Sequence, residues 1–166
     1  QESMIHQAVR EENSLKLLEE ILGNLNTSVD RPNRYGVRPL AIACEKGNLE
    51  LVEILLENKA DPNAAQAGNE TPLMTAARTG KVEIVKRLVA AGARINEKEH
   101  HQQTALMWAA AEGHVEVVRF LLEKGAEFQK PLDSGFTPLL FAVRQGHLEV
   151  AKLLIEKGAD VTEASV

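Results

Sequence analysis

Histidines with nearby carboxylates are the side chains of this sequence best suited to metal or acid–base chemistry. His100 and His101 are adjacent, and Glu97 and Glu99 precede them closely. A zinc site needs three or four ligands that converge in a tetrahedron, and two neighbouring histidines on one loop do not supply that arrangement by themselves. The sequence therefore predicts no functional metal site and no cofactor. An enzyme built on this histidine pair is the weakest of three functional interpretations.

Catalytic motifs are otherwise missing from the sequence. Gly80 precedes a lysine, but Thr75 stands where a phosphate-binding loop needs its first glycine. His114 and His147 each follow a glycine at the start of a second helix, which predicts a turn or capping role. His6 lies in the first apolar segment, where a surface or packing role is predicted. We therefore predict that the chain is not an enzyme.

The composition is typical of one folded domain that covers residues 1–166. Hydrophobic residues make up 44% and charged residues 26% of the 166 residues, which excludes a disordered chain. The net charge of −5 argues against nucleic acid as the partner, because affinity for phosphates depends on cationic side chains. Cys44 is the single cysteine, which excludes a disulfide framework; alanine in the same slot of two other copies predicts a small core residue.

Membrane and targeting signals are not visible in the sequence. There is no apolar run of membrane-spanning length and no signal peptide, so no membrane contact is predicted. The chain begins with Gln1 rather than methionine, from which we expect that a preceding segment was removed. Both a cytoplasmic protein and an exported, periplasmic one agree with such a start.

The elements that must position these residues repeat along the chain. Each copy begins 33 residues after the last, and the first residues of the four clear copies are Arg38, Thr71, Thr104 and Thr137. A turn glycine recurs at the same interval. A fixed period without insertions is typical of stacked repeats, in which neighbouring copies bury a face that one copy cannot bury alone.

Each copy is predicted to be a pair of short helices. Thr71 caps the first helix, and the proline that follows it suits the first helical position. Leu73, Ala76 and Ala77 share one face of that helix, and Gly80 ends it in a left-handed conformation. A second, amphipathic helix and a polar loop complete the copy.

These repeats resemble the ankyrin repeat family. The resemblance rests on the opening Thr71-Pro72-Leu73 with its paired alanines, the glycine–histidine turn and the ending Gly158-Ala159-Asp160-Val161, and it covers nearly the whole chain. It implies an all-α ankyrin-repeat solenoid of helix–turn–helix units with projecting β-turn or hairpin loops. The expected units span about 3–29, 30–62, 63–95, 96–128 and 129–161. The fourth unit is similar to those of exported bacterial ankyrin proteins.

Several positions depart from the family pattern. The histidine that usually follows Thr-Pro-Leu and ties units together is absent from the four clear copies, where its slot holds Ala41, Met74, Met107 and Leu140. We expect apolar packing to replace that tie, with some loss of rigidity between units. Arg38 replaces a capping threonine, which predicts a loss of roughly 1 kcal/mol. Lys59 and Asn69 are expected at positive φ.

The two ends of the stack differ in the sequence. The first unit is predicted to be an atypical end unit with one extra residue in its turn at Glu11–Ser14. Apolar residues mark its second helix, namely Leu15, Leu18, Ile21 and Leu22. The last helix, Leu148–Ile155, keeps the apolar residues of an internal unit, which predicts either a continuing chain or a contact at that end.

The slots that packing does not fix hold most of the aromatic residues. The family resemblance implies that loop tips and inner helices line a concave groove that grips other proteins. The residues predicted to bind a partner there are Tyr35, Arg78, His101, Trp108, Phe136, Phe141 and Arg144. Aromatic and arginine side chains are enriched at binding hot spots. For Trp108 and Phe141 the alternative is filling space between inner helices; for Tyr35 and Phe136 it is loop packing.

The sequence as a whole favours a non-catalytic scaffold that binds a protein or peptide in its groove. The alternative is a structural or regulatory segment of a larger chain that contacts partners through its C-terminal end. We expect a monomer, with self-association through the last unit left open.

Overall fold

The computed structural model describes residues 4–10 and 29–162. Regular structure within these residues is helical. The α-helices are α1 (Met4–Arg10), α2 (Pro39–Lys46), α3 (Leu49–Glu57), α4 (Pro72–Arg78), α5 (Val82–Ala90), α6 (Ala105–Ala111), α7 (Val115–Glu123), α8 (Pro138–Gln145) and α9 (Leu148–Glu156). A 3₁₀ turn covers Ala67–Asn69 in the loop before α4. The predicted all-α architecture of helix pairs is confirmed in the described chain.

The helices form two layers. The inner helices α1, α2, α4, α6 and α8 contact one another in that order, and the outer helices α3, α5, α7 and α9 do the same. Each outer helix also packs on the inner helix that precedes it in the chain. Contacts therefore join neighbouring pairs, as expected for a stack in which each unit touches mainly the next.

Threonine caps begin three of the inner helices. The Oγ1 atoms of Thr71, Thr104 and Thr137 each accept a hydrogen bond at 3.3 Å from the backbone N–H three residues later. Arg38 makes no such cap, as predicted. Its guanidinium instead donates to the backbone carbonyls of Ala65 and Asp30, so that it joins two loops. The lost cap is thus accompanied by a contact that the sequence did not reveal.

The seam between inner helices is built from small and apolar side chains. Fully buried residues of this seam are Ala43, Cys44, Ala76, Ala77, Ala109 and Ala110. Ala41, Met74 and Met107, which occupy the slot of the missing histidine, are also buried, so apolar packing does fill that slot. Leu140 in the last unit is half-buried.

Three histidines also tie neighbouring units together by hydrogen bonds that were not predicted. His6 is buried, follows Ile5 as the expected histidine follows leucine, and bonds the carbonyl of Val37 in the next unit at 2.8 Å. The Nε2 atom of His114 lies 2.9 Å from the carbonyl oxygen of Arg78. His147 repeats this contact with Ala111, also at 2.9 Å. A carbonyl can only accept, so each Nε2–H donates. The acceptors of His114 and His147 are the last residues of inner helices, whose carbonyls lack a partner within the helix.

Gly80 and Gly113 make room for these imidazoles. Gly80 has φ +71°, and a Cβ atom placed on it would lie 2.5 Å from Nδ1 of His114. Gly113 has φ +77° and stands in the same relation to His147. Both backbone conformation and space therefore require glycine here, and the predicted turn role of the two histidines extends to the neighbouring unit.

Within residues 4–10 and 29–162, three residues other than glycine adopt positive φ. Lys59 (φ 68°) and Asn69 (φ 63°) confirm the predictions made for them. Gln102 (φ 63°) was not predicted. It lies in the loop before α6, where the N–H of Glu99 donates to the carbonyl of Gln103 at 3.0 Å. The loop tips are turns closed by such bonds, with no strand among the described residues.

Asparagines connect the loop of one unit to the loop of the next. Asn63 Oδ1 accepts from the N–H of Arg94 at 2.8 Å, and its Nδ2 donates to the carbonyl of Gly92 at 3.0 Å. Asn96 repeats both bonds one unit later. Asp30 makes only the accepting bond, from the N–H of Asp61 at 2.9 Å. Its other oxygen, Oδ1, is buried without a hydrogen-bond partner among the described residues.

Part of the prediction for the first unit falls outside the described residues. The extra residue at Glu11–Ser14 and the second helix of that unit lie in residues 11–28, which the structure does not describe. Where the chain is described, no helix combines the length and the apolar character needed to cross a membrane.

Candidate functional site

A cleft opens between the loop before α6 and the loop before α8, which we call the fourth and fifth loops after the units they belong to. It measures about 560 Å³ and is lined by His100, His101, Gln102, Gln103, Leu132, Asp133, Ser134, Phe136, Phe141 and Arg144. The loop before α6 supplies one wall, and the loop before α8 together with the exposed face of α8 supplies the other. Four of the seven predicted contact residues meet here, namely His101, Phe136, Phe141 and Arg144.

Two phenylalanines and an arginine form the apolar wall of the cleft. The ring centroids of Phe136 and Phe141 are 5.1 Å apart, and the rings are tilted by 45°. The Cζ atom of Arg144 lies 5.5 Å from the centre of the Phe136 ring, within the range of a cation–π contact. Both rings are half-buried, yet neither belongs to the side chains that pack on the core. We call these three residues the Phe–Arg cluster.

Unit three holds different residues in the same three slots. Glu70, Thr75 and Arg78 precede Phe136, Phe141 and Arg144 by two repeats. Glu70 Oε1 accepts a hydrogen bond from Thr75 Oγ1 at 2.8 Å and from Arg78 Nη2 at 3.4 Å. The cation of unit three therefore has a carboxylate of its own chain, whereas the Phe–Arg cluster offers Arg144 only an aromatic ring.

The rim of the cleft is polar. The side chains of His100 and His101 are exposed, and their rings meet edge to face at 5.7 Å. Glu99 is buried beneath them, where its Oε1 accepts from the N–H groups of His101 and Gln103 at 2.9 and 3.1 Å. Glu99 thus shapes the loop rather than facing a ligand. Asp133 is exposed on the opposite loop.

The other three predicted contact residues lie outside this cleft. Trp108 is half-buried and packs on the core, as its space-filling alternative required. Tyr35 lies in the loop before α2 and is 63% exposed. The Arg34 guanidinium is 4.6 Å from its ring centre. Arg78 is paired with Glu70. Each of them stays a predicted contact, but none lines the cleft that the other four share.

The residues at one slot of successive inner helices, which we call the inner-helix ladder, become more exposed along the stack. Ile42 and Thr75 are buried, whereas Trp108 and Phe141 in the same slot are half-buried. Apolar surface on the groove side therefore increases toward the fourth and fifth units.

The reactive groups noted in the sequence lack the surroundings of a catalytic or metal site. Burial raises the pKa of Cys44 from its ordinary value of 9.0 to about 12, so the thiolate needed for nucleophilic chemistry is disfavoured. Among the described residues, no three or more His, Cys, Asp or Glu side chains gather as metal ligands. His100 and His101 accordingly have no additional ligands nearby in that part of the chain.

The C-terminal end of the stack exposes apolar residues whose counterparts in earlier units are buried or half-buried. Val143 is 58% exposed, although Cys44, Ala77 and Ala110 in the same slot are fully buried. Leu148 is 70% and Ile155 48% exposed. This end is a second apolar surface, distinct from the cleft.

Leu132 was missed as a cleft residue by sequence reasoning. Leu132 occupies the same slot as Gln66 and Glu99 in the two preceding units. The slot could therefore be recognised from the sequence as a loop-closing position. A leucine in a slot that otherwise holds polar residues was the available signal. The histidine ties were missed because their acceptors are backbone carbonyls, which leave no pattern in the sequence.

Comparison with known protein families gives a match to the family described as ankyrin repeats (3 copies). The match covers residues 5–99 and 96–165. A comparison with curated proteins gives no match. Ankyrin repeats are generally protein–protein interaction modules and are typically non-catalytic. Because the two matched segments cover most of the sequence and the helix pairs stack in the family's manner, the chain belongs to the ankyrin repeat family.

Proposed function

We propose that this protein is a non-catalytic scaffold that binds a protein segment in the cleft between its fourth and fifth loops. The observation that carries the proposal is the Phe–Arg cluster, in which two half-exposed rings and an exposed guanidinium meet without serving the core. Burying aromatic surface supplies binding energy, and the polar rim supplies hydrogen bonds that fix orientation.

The shape of the cleft favours an extended peptide as the bound segment. The cleft runs between two loops and over one helix face, so it is open rather than enclosed. Side chains at the rim include two imidazoles and two amides, which can bond a peptide backbone. Tyr35, Arg78 and Trp108 remain proposed contacts for a longer partner that extends along the groove side.

The proposal is tested by panning a random peptide library on the wild-type protein. Enriched peptides are expected to lose at least tenfold in affinity for a Phe136→Ala/Phe141→Ala variant, because that change removes the apolar wall. Its fold should persist, since neither ring packs on the core. Unfolding by urea, followed by circular dichroism, checks that point. Unchanged affinity in the folded double variant would contradict the proposal.

A second candidate is a contact through the C-terminal end, which the exposure of Val143, Leu148 and Ile155 favours. One feature weakens it: Val143 is bulkier than the small residues that form the internal seams. A Leu148→Ser/Ile155→Ser variant separates the two candidates. Peptides that bind the cleft are expected to bind this variant normally, whereas a partner of the end surface would be lost.

A further inference from the structure

Resting on the groove function proposed above, we infer that the ligand is an acidic peptide that places an Asp or Glu carboxylate against Arg144 and an adjacent apolar side chain on Phe136 and Phe141. In unit three the guanidinium of Arg78 and the hydroxyl of Thr75 share one carboxylate oxygen of Glu70. That trio is complete within the chain.

Unit five keeps the cation of this trio and loses the anion. Phe136 replaces the glutamate and Phe141 replaces the threonine, while Arg144 occupies the slot of Arg78. Arg144 forms no ion pair with any described residue, and its exposed guanidinium contacts the Phe136 ring. A planar guanidinium matches a carboxylate in two-point hydrogen bonds, so the missing partner is a carboxylate supplied from outside.

The aromatic rings define what accompanies that carboxylate. The tilted pair of Phe136 and Phe141 leaves apolar surface beside the guanidinium. An apolar side chain next to the acidic residue would cover this surface and exclude water from the ion pair, which strengthens it. The ligand motif is therefore an acidic residue with an apolar neighbour.

Asp133 sets the register of the ligand. Its carboxylate is exposed on the loop that also carries Phe136, so a second acidic residue of the ligand placed there would be repelled. His100 and Gln103 on the opposite wall offer N–H groups to the ligand backbone. The negative net charge of the protein, −5, opposes polyanions and agrees with one carboxylate as the recognised group.

The test uses peptides from the library selection on the whole protein. Wild-type selections are expected to enrich Asp or Glu beside an aromatic or aliphatic residue. For a selected peptide, changing that Glu to Gln, or Arg144→Gln in the protein, should each weaken binding about tenfold, and the two changes together should cost little more than one. Arg119→Gln, on the outer helix α7 and away from the cleft, is the matched control and should change nothing.

A charge reversal provides the sharpest outcome. Arg144→Glu is expected to turn the selection toward Lys or Arg at the same peptide position. Peptides that bind the cleft without an acidic preference, and that bind Arg144→Gln as well as wild type, would overturn the inference while leaving the groove function standing. If the wild type enriches no peptide, both proposals fall together.

Discussion

Asn63 and Asn96 each make two hydrogen bonds to the next loop, whereas Asp30 makes only one. The unpaired Oδ1 atom of Asp30 is expected to lower the stability of the protein. Where each asparagine donates from Nδ2 to a carbonyl, Asp30 presents the buried Oδ1 without a partner. Replacing Asp30 by Asn supplies the missing donor. The expected result is a gain of about 1 kcal/mol in the free energy of unfolding, measured by urea denaturation.

Asp61→Asn is the matched control for that change. It removes the same charge from an exposed side chain whose Oδ1 already accepts from the N–H of Asn63, so the acceptor survives as an amide oxygen. Equal stabilities of the two variants would show that charge, and not the unpaired atom, sets the effect.

Cys44 makes the stability of the protein depend on alkaline pH. Its pKa is raised from 9.0 to about 12 in the folded state, so the unfolded thiol loses its proton first as pH rises above 9. The unfolded state is thereby favoured, and stability that is fully present below pH 9 is lost between pH 9 and 12. Relative to Cys44→Ala, the wild type should lose about 1 kcal/mol between pH 9 and pH 10.

Alanine is a suitable reference at this position because Ala77 and Ala110 fill the same slot with full burial. The measurement is urea unfolding of both proteins at several pH values. Parallel curves for wild type and Cys44→Ala would contradict the raised pKa.

His114 joins the end of one inner helix to the start of the outer helix in the following unit. The carbonyl of Arg78 ends α4, and the imidazole at the start of α7 satisfies it. His114→Ala should therefore lower the free energy of unfolding by about 1 kcal/mol. The exposed His100→Ala is the control and should have no comparable effect.

Gly80 allows a further check of the same contact. Gly80→Ala should be strongly destabilising in the wild type, since its Cβ would lie 2.5 Å from the His114 ring. In the His114→Ala background only the cost of the positive φ remains, so the two changes should be non-additive. Additive effects would mean that the ring does not occupy the glycine.

The period of 33 residues was sufficient to predict the helix pairs, their threonine caps and the positive φ of Lys59 and Asn69. These features follow from local chemistry, in which a hydroxyl caps or a turn demands a left-handed residue. The histidine ties were not predictable in the same way. Their partners are carbonyls more than 30 residues away, and any residue supplies a carbonyl.

The candidate site could be predicted from the sequence only as a set of repeat positions, and not as one cleft. Sequence reasoning assigned His101, Phe136, Phe141 and Arg144 to the groove, and the structure brings them to one cleft. It did not separate them from Arg78, because the Glu70 partner occupies a loop slot whose reach toward the helix depends on the fold. Nor did it distinguish Trp108, whose packing on the core depends on neighbouring units.

The N-terminal and C-terminal halves of the groove side differ in how far their side chains are exposed. The second and third units bury their ladder residues Ile42 and Thr75, and the third pairs Arg78 with its own glutamate. The fourth and fifth units leave rings and a guanidinium accessible. We therefore expect recognition to be concentrated at the C-terminal half, while the N-terminal units supply a rigid support.

The most direct test of this account is a map of backbone amide chemical-shift changes, by NMR, when a library-selected peptide is added to the wild-type protein. We expect the changes to cluster on the cleft walls, at 100–103 and 132–136, and at 141–144 in α8. Changes confined to α9 and the exposed end at Val143, or spread evenly over all units, would contradict the central claim that the cleft is the binding site.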